Sequence, residues 1–462
     1  MTKLGRWAVI DIETSGIDPT YDQIIDIGFL QFDGIKLTRK YSSLVKADVV
    51  LSQFIQKLTG IKQEQVKKAP AWQKIEPDLL ELEGHALIAH NASFEEMFLK
   101  KYFEDLGQDR IEESFQDSMY FLSLIFPERS SLNLESILID LKIAEKEEHR
   151  GLSDSIDLLR VLLVATMLAK KDIEFEAFLI ETFKNFSGDE FWFKNFIHLE
   201  LHELHEIDDQ IDFDLEQAFE TYKNSLGEDD FDGSKYKRKK LDFTGPNIKE
   251  ILRDEKDLKE KLTHYTFRES QEKLSLRIGQ AFTNNIHALI QAPTGTGKTL
   301  GYLLPSILLS KSKGEQVMVS TGTKALQNQA MSKDIPLAFK MLGLGKFDLN
   351  VIRLIGSKNH YCELLYRNEQ RENDSMLDMR EFGERFTEAY FETLFFYNQR
   401  VSDYSKIITR DSIPYVMKRK FKQFADKDKS IQVDYRSCTG HKCPFKNECT
   451  YVQGLRLSLI HI

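Results

Sequence analysis

Apolar and β-branched residues form two runs near the start of the chain, at residues 7–12 and 24–32. Asp33-Gly34 follows the second run, and this pair is typical of a tight turn between antiparallel strands. Short apolar runs then alternate with helical periodicity at residues 79–89, 94–103 and 132–141. Strand runs mixed with helical periodicity predict an α/β domain that ends near residue 170.

The remainder of the chain changes character twice. Residues 171–224 are rich in Phe, Glu and Asp at helical spacing, and a charged stretch that ends in a basic run follows them. A second α/β pattern begins near residue 246. Because a single core stops growing at roughly 250 to 300 residues, we expect several domains in a chain of 462 residues, at 1–170, 171–245, 246–360 and 361–462.

The charge is unevenly distributed. The chain has 63 basic and 73 acidic residues, yet residues 200–232 alone hold 13 acidic residues and one basic residue. We interpret residues 171–245 as an acidic helical connector and a basic linker. The rest is close to neutral, so the net charge of −10 does not exclude a nucleic-acid partner.

Targeting and membrane segments are not evident in the sequence. The N-terminus lacks the pattern of a signal peptide, and the longest apolar stretch, residues 161–169, is too short to span a bilayer. Ten Pro and 24 Gly are too few for a low-complexity chain. We therefore expect a soluble, cytoplasmic, monomeric globular protein with no membrane partner.

Two carboxylates stand at the end of the first apolar run. Asp11 and Glu13 are two residues apart, so on a strand they share one face while Ile12 points to the core. Neighbouring carboxylates repel each other unless a cation lies between them, which is how oxygen-rich sites bind Mg²⁺ or Mn²⁺. The same spacing also occurs at solvated strand ends, so this pair alone does not define a site.

Two further motifs follow in order, one from His90 to Glu95 and one from His149 to Asp154. Together with Asp11 and Glu13 they resemble the DnaQ-like exonucleases that have a DEDDh site. The resemblance implies a ribonuclease H-like domain at residues 1–170 that removes nucleotides from the 3′ end of single strands. It also implies two Mg²⁺ or Mn²⁺ ions, whose expected ligands are Asp11, Glu13, Glu95 and Asp154.

The expected roles follow from the chemistry of each side chain. Two cations about 4 Å apart stabilise the attacking and leaving oxygens of an in-line displacement, and carboxylates are their preferred ligands. A neutral His accepts a proton near physiological pH, so His149 is the expected general base, on a loop before the helix that carries Asp154. The catalytic set is therefore Asp11, Glu13, His149 and Asp154.

The chain departs from the family at the middle carboxylate. The family has Asp where this chain has Glu95, and the longer side chain shifts the carboxylate by more than an ångström. A misplacement of that size can reduce the rate about a hundredfold. Glu96 is a less favoured substitute. Asp117 also matches a family position, and we interpret it as structural.

A glycine-rich segment lies between a strand-like run at residues 287–291 and an apolar helical run that reaches residue 309. In such a loop the backbone N–H groups bind phosphates, Lys298 reaches the β- and γ-phosphates, and Thr299 binds Mg²⁺. An ATP site with Mg²⁺ is therefore expected at Ala292, Pro293, Thr294, Gly295, Thr296, Gly297, Lys298 and Thr299.

The residues around this loop resemble motifs of the DinG-type superfamily 2 helicases. They comprise residues 265–271, residues 319–329 and Asp334-Ile-Pro336. The resemblance implies that Gln271 reads adenine, that Tyr265 stacks near it, and that residues 321–327 lie against the nucleic-acid strand. Residues 246–360 would then be part of the first RecA-like domain.

All the cysteines follow residue 360, at Cys362, Cys438, Cys443 and Cys449. In a reducing compartment this favours metal binding or redox chemistry over disulfides, with unconnected buried thiols as the alternative. Four thiolates hold zinc or an iron–sulfur cluster. The spacing resembles the helical [4Fe-4S] insertion of DinG-type helicases, which implies a cluster within residues 361–462 and makes zinc less favoured.

The same region suits a phosphate-bearing partner. Residues 400–449 hold 12 basic and 6 acidic residues. The resemblance places an Asp-Glu-Ala-His box beyond the last cysteine, whereas the chain stops 13 residues after Cys449. We therefore expect a C-terminally truncated helicase portion that binds ATP without hydrolysing it at a useful rate.

Three functions are consistent with these motifs. The leading hypothesis is a 3′-to-5′ exonuclease for single-stranded DNA, with RNA left open, coupled to an ATP-binding helicase module in DNA metabolism or repair. The first alternative is an ATP-dependent DNA helicase, in its full-length form, with a weak exonuclease domain. The second is a DNA-binding fragment in which both activities are impaired.

Overall fold

The structure, a computed structural model, describes residues 4–104, 115–226, 241–262, 265–345, 348–373, 380–401 and 404–459. The chain forms two compact units, and neither is continuous in sequence. The first unit contains Met1–Asn224 and Lys358–Glu448, and the second contains Ser225–Ser357 and Cys449–Ile462. The four functional domains expected from the sequence, at residues 1–170, 171–245, 246–360 and 361–462, stay a prediction.

Within its described part, the first unit contains one mixed β-sheet. Its strands are β1 (Arg6–Thr14), β2 (Ile24–Asp33), β3 (Lys36–Leu44), β4 (Ala86–Ala89) and β5 (Phe115–Asp117). The order across the sheet is β3-β2-β1-β4-β5. The pairs β1–β2 and β2–β3 are antiparallel, whereas β1–β4 and β4–β5 are parallel. The hairpin predicted at Asp33-Gly34 is confirmed, with Gly34 at a φ of 60°.

Helices flank this sheet. They are α1 (Gln53–Thr59), α2 (Gln63–Lys68), α3 (Trp72–Leu80), α4 (Ser93–Glu104), α5 (Ser118–Ile125), α6 (Leu134–Asp140), α7 (Gly151–Lys171), α8 (Ile173–Phe183), α9 (Lys194–Ile197), α10 (Leu201–Asp209) and α11 (Leu215–Leu226). The helical character predicted for residues 171–224 is therefore confirmed. These later helices share the core of the sheet. The ring of Trp7 stacks on that of Phe32 at 4.1 Å between centroids and lies 5.5 Å from that of Phe196 in α9.

The stretch Lys358–Glu448 packs on the same unit. Its helices are α18 (Glu363–Asn373), α19 (Phe382–Arg400), α20 (Tyr415–Lys420) and α21 (Lys422–Ser430). The rings of Phe396 in α19 and Phe178 in α8 stack at 4.2 Å, and Arg385 pairs with Glu190 at 2.6 Å. Because these contacts join residues far apart in the sequence, the unit is completed only by its C-terminal stretch.

The second unit is helical in its described part. Its helices are α12 (Gly245–Arg253), α13 (Glu255–Lys261), α14 (Glu269–Thr283), α15 (Lys298–Lys313), α16 (Lys324–Gln329), a π-helical turn (Ala330–Asp334), α17 (Ile335–Leu342) and α22 (Thr450–Leu459). Leu304 of α15 and Phe339 of α17 are fully buried in one apolar cluster.

One predicted element of the second unit is wrong. Residues 287–291 precede α15 but do not form a strand, and Leu289 is fully exposed. A parallel strand needs hydrogen-bonded neighbours, and the described residues between 241 and 357 contain no second strand to pair with it. Separately, no helix of the described chain is long and apolar enough to cross a membrane.

Candidate active site

The central strand presents two carboxylates at its end. In β1, Asp11 and Glu13 are half-buried on one face, whereas Ile12 between them is buried on the other. This alternation is the one predicted from the sequence, and it follows from the two-residue period of a strand. Strand β1 lies between β2 and β4, so the two carboxylates stand in the middle of the sheet.

The start of α7 reaches this point through a contact between two glycines. A Cβ atom on Gly28 of β2 would lie 1.9 Å from the backbone N of Leu152, and one on Gly151 would lie 2.5 Å from the N of Gly28. Ser155 Oγ adds a hydrogen bond of 3.1 Å to the carbonyl of Gly28. The helix therefore begins directly against the sheet, which brings Asp154 to the end of β1.

His149 lies on the loop before α7, as predicted. Its φ of 54° is in the left-handed region, which residues with a Cβ rarely adopt. The ligand atoms of Glu13, His149 and Asp154 all lie within 4.8 Å of one another. These three side chains therefore form a group that could hold a metal ion. The backbone N–H of Arg150 donates to Asp154 Oδ2 at 3.0 Å and orients that carboxylate.

Glu95 joins the site from α4. It lies in the first turn of that helix and is buried. Its Oε2 atom and the Oδ1 atom of Asp154 are buried and have no hydrogen-bond partner among the described residues. A buried carboxylate oxygen is costly without a partner. Two such oxygens in one acidic cluster fit a divalent cation, for which carboxylates are preferred ligands.

The carboxylates of the cluster hold protons more tightly than isolated ones. Burial, and then the charges of Glu95, Asp154 and Glu13, raise the pKa of Asp11 well above its usual value. Burial and the charge of Asp154 raise the pKa of Glu13 to about 8, and burial raises that of Asp154 to about 7. A divalent cation would oppose this repulsion and favour the ionised carboxylates.

The electrostatics of His149 differ from those of the carboxylates. Burial lowers its pKa, and the charge of Glu135 opposes this effect only in part. The imidazole is therefore neutral at physiological pH. A neutral imidazole can accept a proton, which is what the expected general base requires.

Asp117, which we interpret from the sequence as structural, forms hydrogen bonds at the start of α5. It is the N-cap of α5, and its Oδ1 accepts hydrogen bonds from the backbone N–H groups of Met119 at 3.0 Å and Asn91 at 3.1 Å. Its other oxygen forms an ion pair with Lys420 of α20. Burial raises the pKa of Glu95 well above its usual value, the charge of Asp117 adds to this effect, and that of Lys420 opposes it.

Sequence reasoning missed two acidic residues near the site. Burial and the charge of Glu135 raise the pKa of Glu147 to about 7, and the charge of Glu147 in turn raises that of Asp154. Asp26 is fully buried and pairs with Arg150 at 2.7 Å. Glu147 belongs to a run of charged residues that is typical of a solvated loop, so no local pattern identifies it.

We expect cation binding at this site to release protons. Near neutral pH the metal-free carboxylates of Glu13 and Asp154, with pKa values of about 8 and 7, are partly protonated. A cation must displace those protons. The affinity for Mn²⁺ should therefore weaken as the pH falls from about 8.5 to about 6.5, by about tenfold per unit for each proton displaced.

Titration calorimetry in two buffers of different ionisation enthalpy measures the number of protons released. The matched variant is Asp11→Asn, which removes one negative charge from the cluster and should release fewer protons. An affinity for Mn²⁺ that stays constant across this pH range would contradict the electrostatic coupling.

The glycine-rich loop belongs to the second unit. Gly295 and Gly297 have φ values of 80° and 77°, which only glycine adopts readily, and α15 begins at Lys298. The ammonium group of Lys298 donates to the carbonyl of Ala292 at 3.0 Å. The loop and helix thus have the form expected of a phosphate-binding segment, and its role in ATP binding stays a prediction.

Two residues expected near adenine occupy different surroundings. The amide of Gln271 donates to the carbonyl of Gly297 at 2.9 Å, so it lies against the loop. Tyr265 is buried, and its hydroxyl donates to the carbonyl of Leu252 at 2.7 Å. Of these two, the structure brings Gln271 to the glycine-rich loop, and contact with a base stays a prediction for both.

The four cysteines are free thiols in the structure. Burial raises the pKa of the Cys362 thiol, and the charges of Cys443 and Cys438 raise it further. Cys449 begins the C-terminal segment of the second unit. The cluster expected from the sequence stays a prediction.

Two family models match the chain. Residues 8–162 match the model described as exonuclease, and residues 275–364 match the model described as DEAD/DEAH box helicase. The first match contains Asp11, Glu13, Glu95, His149 and Asp154. The fold and the matched segments define a protein in which an exonuclease domain with a mixed α/β sheet is joined to a DEAD/DEAH box helicase segment.

The chain is similar to proteins named 3'-5' exonuclease DinG. It is 30% identical to that of Staphylococcus saprophyticus over 361 residues, which are 78% of this chain and 38% of the relative. For that of Bacillus subtilis, the identity is 26% over 384 residues, with shares of 79% and 38%. The chain thus spans about two fifths of the length of these relatives.

Solved structures also match. One is the nuclease domain of 3'hExo, a DEDDh family member, bound to rAMP, with a TM-score of 0.31, 19% identity, and coverage of 37% of this chain and 94% of that chain. Another is exonuclease X in complex with 5' overhanging duplex DNA, with a TM-score of 0.28, 19% identity, and coverage of 36% of this chain and 92% of that chain.

Proposed function

We propose that the first unit is a metal-dependent 3′-to-5′ exonuclease for single-stranded DNA. The observation that carries the proposal is the group of Glu13, His149 and Asp154, whose ligand atoms lie within 4.8 Å of one another. The homology to 3'-5' exonuclease DinG proteins supports the same activity. The unpartnered oxygens of Glu95 and Asp154 supply further donors for a cation.

The side chains divide the chemistry between them. Asp11, Glu13, Glu95 and Asp154 would hold two Mg²⁺ or Mn²⁺ ions. When bound, the ions stabilise the charge that develops on the attacking and leaving oxygens of an in-line displacement. His149, neutral because of its burial, accepts the proton of the attacking water. The backbone N–H of Arg150 keeps Asp154 oriented during this step.

The polarity of cleavage is the first test. A single DNA strand labelled at its 5′ end should be shortened stepwise by the full chain in Mg²⁺ or Mn²⁺, because attack begins at the free 3′ end. A 3′-terminal phosphorothioate should slow the same reaction, and Asp11→Ala should stop it. Release of the 5′ label as the first product would contradict the proposed polarity.

Two further arms of that experiment extend it. An RNA strand of the same sequence distinguishes DNA preference from RNA preference. ATP with Mg²⁺ tests the proposal that the second unit binds nucleotide through the loop before α15, and Lys298→Ala is the matched variant, because it removes the cation expected to reach the phosphates. An effect of ATP that survives Lys298→Ala would place the nucleotide elsewhere.

The cysteines support a metal centre in addition to the acidic one. We infer that Cys362, Cys438 and Cys443 bind a thiolate-preferring metal, since the chain's cysteines all follow residue 360 and the charges of Cys443 and Cys438 act on Cys362. An iron–sulfur cluster is the proposed occupant, and the iron and zinc content of anaerobically purified protein distinguishes it from zinc. The role of Cys449 as a fourth ligand stays a prediction. The monomeric state and the cytoplasmic location of the protein also stay predictions.

A further inference from the structure

Lys420 brings a positive charge from the C-terminal stretch of the first unit to the acidic site. It is the last residue of α20 and forms an ion pair with Asp117, and both side chains are largely buried. Its ammonium group also lies 5.3 Å from the centre of the Tyr120 ring. These contacts place the ammonium group of Lys420 beside the carboxylate of Asp117 in the exonuclease domain.

Aromatic packing holds α20 in this place. The ring of Phe421, which follows Lys420 directly, lies 5.2 Å from that of Tyr120 in α5. The ring of Phe386 in α19 lies 5.0 Å from Tyr120 and 5.3 Å from Phe421. The position of Lys420 is therefore set by contacts between the two parts of the first unit.

Asp117 links Lys420 to the segment that carries Glu95. The carboxylate of Asp117 accepts the backbone N–H of Asn91 at 3.1 Å, and Asn91 has a left-handed φ of 63°. A non-glycine residue in this region needs support from its surroundings. Two residues later α4 begins, and its first turn carries Glu95. A displacement of Asp117 would therefore be transmitted to the start of α4.

The buried charge of Asp117 explains why a positively charged side chain is needed beside it. Asp117 is buried next to a site that already contains several carboxylates, and a buried charge without a partner is destabilising. Lys420 supplies that partner. Without Lys420, the negative charge of Asp117 would either repel the carboxylate of Glu95 or draw Asp117 away from Asn91. In either case Glu95 would be displaced from the position in which it can hold a metal ion.

We propose that Lys420 is a positioning residue of the nuclease site, which offsets the charge of Asp117 and thereby keeps Glu95 in place to hold a metal ion. The inference rests on the proposed function, since it takes Glu95 as a metal ligand. It implies that the nuclease site is not complete within residues 1–170. The stretch that carries Cys362, Cys438 and Cys443 supplies one of its supports.

The test is the affinity of the full chain for Mn²⁺, measured by calorimetry without nucleotide. Mn²⁺ prefers carboxylates over thiolates, and Asp11→Asn shows which heat belongs to the acidic site. We expect Lys420→Met to weaken this affinity by about tenfold or more, the usual effect of removing a residue that supports a metal ligand. Lys420→Arg keeps the charge and should stay within about threefold of the wild type.

Lys422→Met is the matched control. Lys422 is exposed, stands two residues further along, and should leave the affinity unchanged. Equal affinities of Lys420→Met and the wild type would overturn the proposal. The measurement does not depend on cleavage, so a wild-type chain that binds Mn²⁺ without degrading DNA would contradict the proposed function and leave the role of Lys420 intact.

A double variant separates charge compensation from a merely structural role. Asp117→Asn removes the charge that Lys420 offsets but keeps an oxygen that can accept the N–H of Asn91. Lys420→Met combined with Asp117→Asn should therefore recover most of the affinity that Lys420→Met loses. If the double variant is as weak as Lys420→Met, Lys420 acts by packing alone and the proposal is wrong.

Discussion

Asp154→Asn is expected to slow removal of nucleotides from a 3′ end by on the order of a thousandfold, because the loss of a metal ligand removes several kcal/mol of charge stabilisation in the transition state. The amide has almost the shape of the carboxylate, and its oxygen can still accept the N–H of Arg150. A slower cleavage rate would therefore result from the missing charge and not from disruption of the start of α7. The rate is measured on an end-labelled single strand in excess Mg²⁺ or Mn²⁺.

Stability provides a second readout of the same variant. The pKa of Asp154 is raised to about 7 in the folded protein, whereas in the unfolded chain it is about 4. Ionising Asp154 therefore lowers the stability of the folded protein as the pH rises from about 4 through about 7. At about pH 8 without metal, Asp154→Asn should melt no lower than the wild type, and Mn²⁺ should raise its melting temperature less.

The control for Asp154→Asn lies one turn further along α7. Asp157→Asn is the same substitution on the same helix, at a carboxylate that pairs with Arg160 at 2.9 Å and is not among the expected ligands. It should retain a cleavage rate of the same order as the wild type. Similar rates for Asp154→Asn and Asp157→Asn would contradict the assignment of Asp154.

Gly28→Ala is expected to give the largest loss of stability. The added methyl group would lie 1.9 Å from the backbone N of Leu152, and backbone atoms cannot move aside as a flexible side chain can. Overpacking typically costs about 1 to 3 kcal/mol, and we expect a value of at least about 3 kcal/mol here because the obstacle is the backbone of α7. Thermal and denaturant unfolding of the metal-free chain measure this cost.

The same substitution should also reduce nuclease activity. Any relief of the clash at Gly28 moves the start of α7, and with it His149 and Asp154, away from β1. Gly245→Ala is the matched control, since its methyl group would meet only Leu276 Cδ2 at 3.7 Å. A stable and active Gly28→Ala variant would show that the helix can begin further from the sheet than the structure places it.

Local patterns were sufficient to predict the parts of the site that lie on regular elements. The two-residue period of a strand predicted that Asp11 and Glu13 share a face, and the structure confirms it. The turn at Asp33-Gly34 was also predictable, because the geometry of a tight turn restricts the residues that fit it. The loop position of His149 followed from its spacing to Asp154.

The features that sequence reasoning missed depend on contacts between distant residues. The partner of Asp117 is 303 residues away, at Lys420, and nothing near either residue indicates the pair. The strand predicted at residues 287–291 has the right composition but lacks paired neighbours among the described residues. Glu147 is close to the site only because of the path of the chain before α7.

The discontinuous first unit has a consequence for folding during synthesis. Its first part ends at Asn224 and its second begins at Lys358, so α5 and α8 are translated well before the α19 residues that cover them. At about 5 to 20 residues per second, completing the chain from residue 224 to residue 448 takes roughly 10 to 45 s. During that interval the apolar surfaces around Tyr120 and Phe178 are exposed to solvent on the nascent chain. A chaperone bound to these surfaces would protect the chain from aggregation.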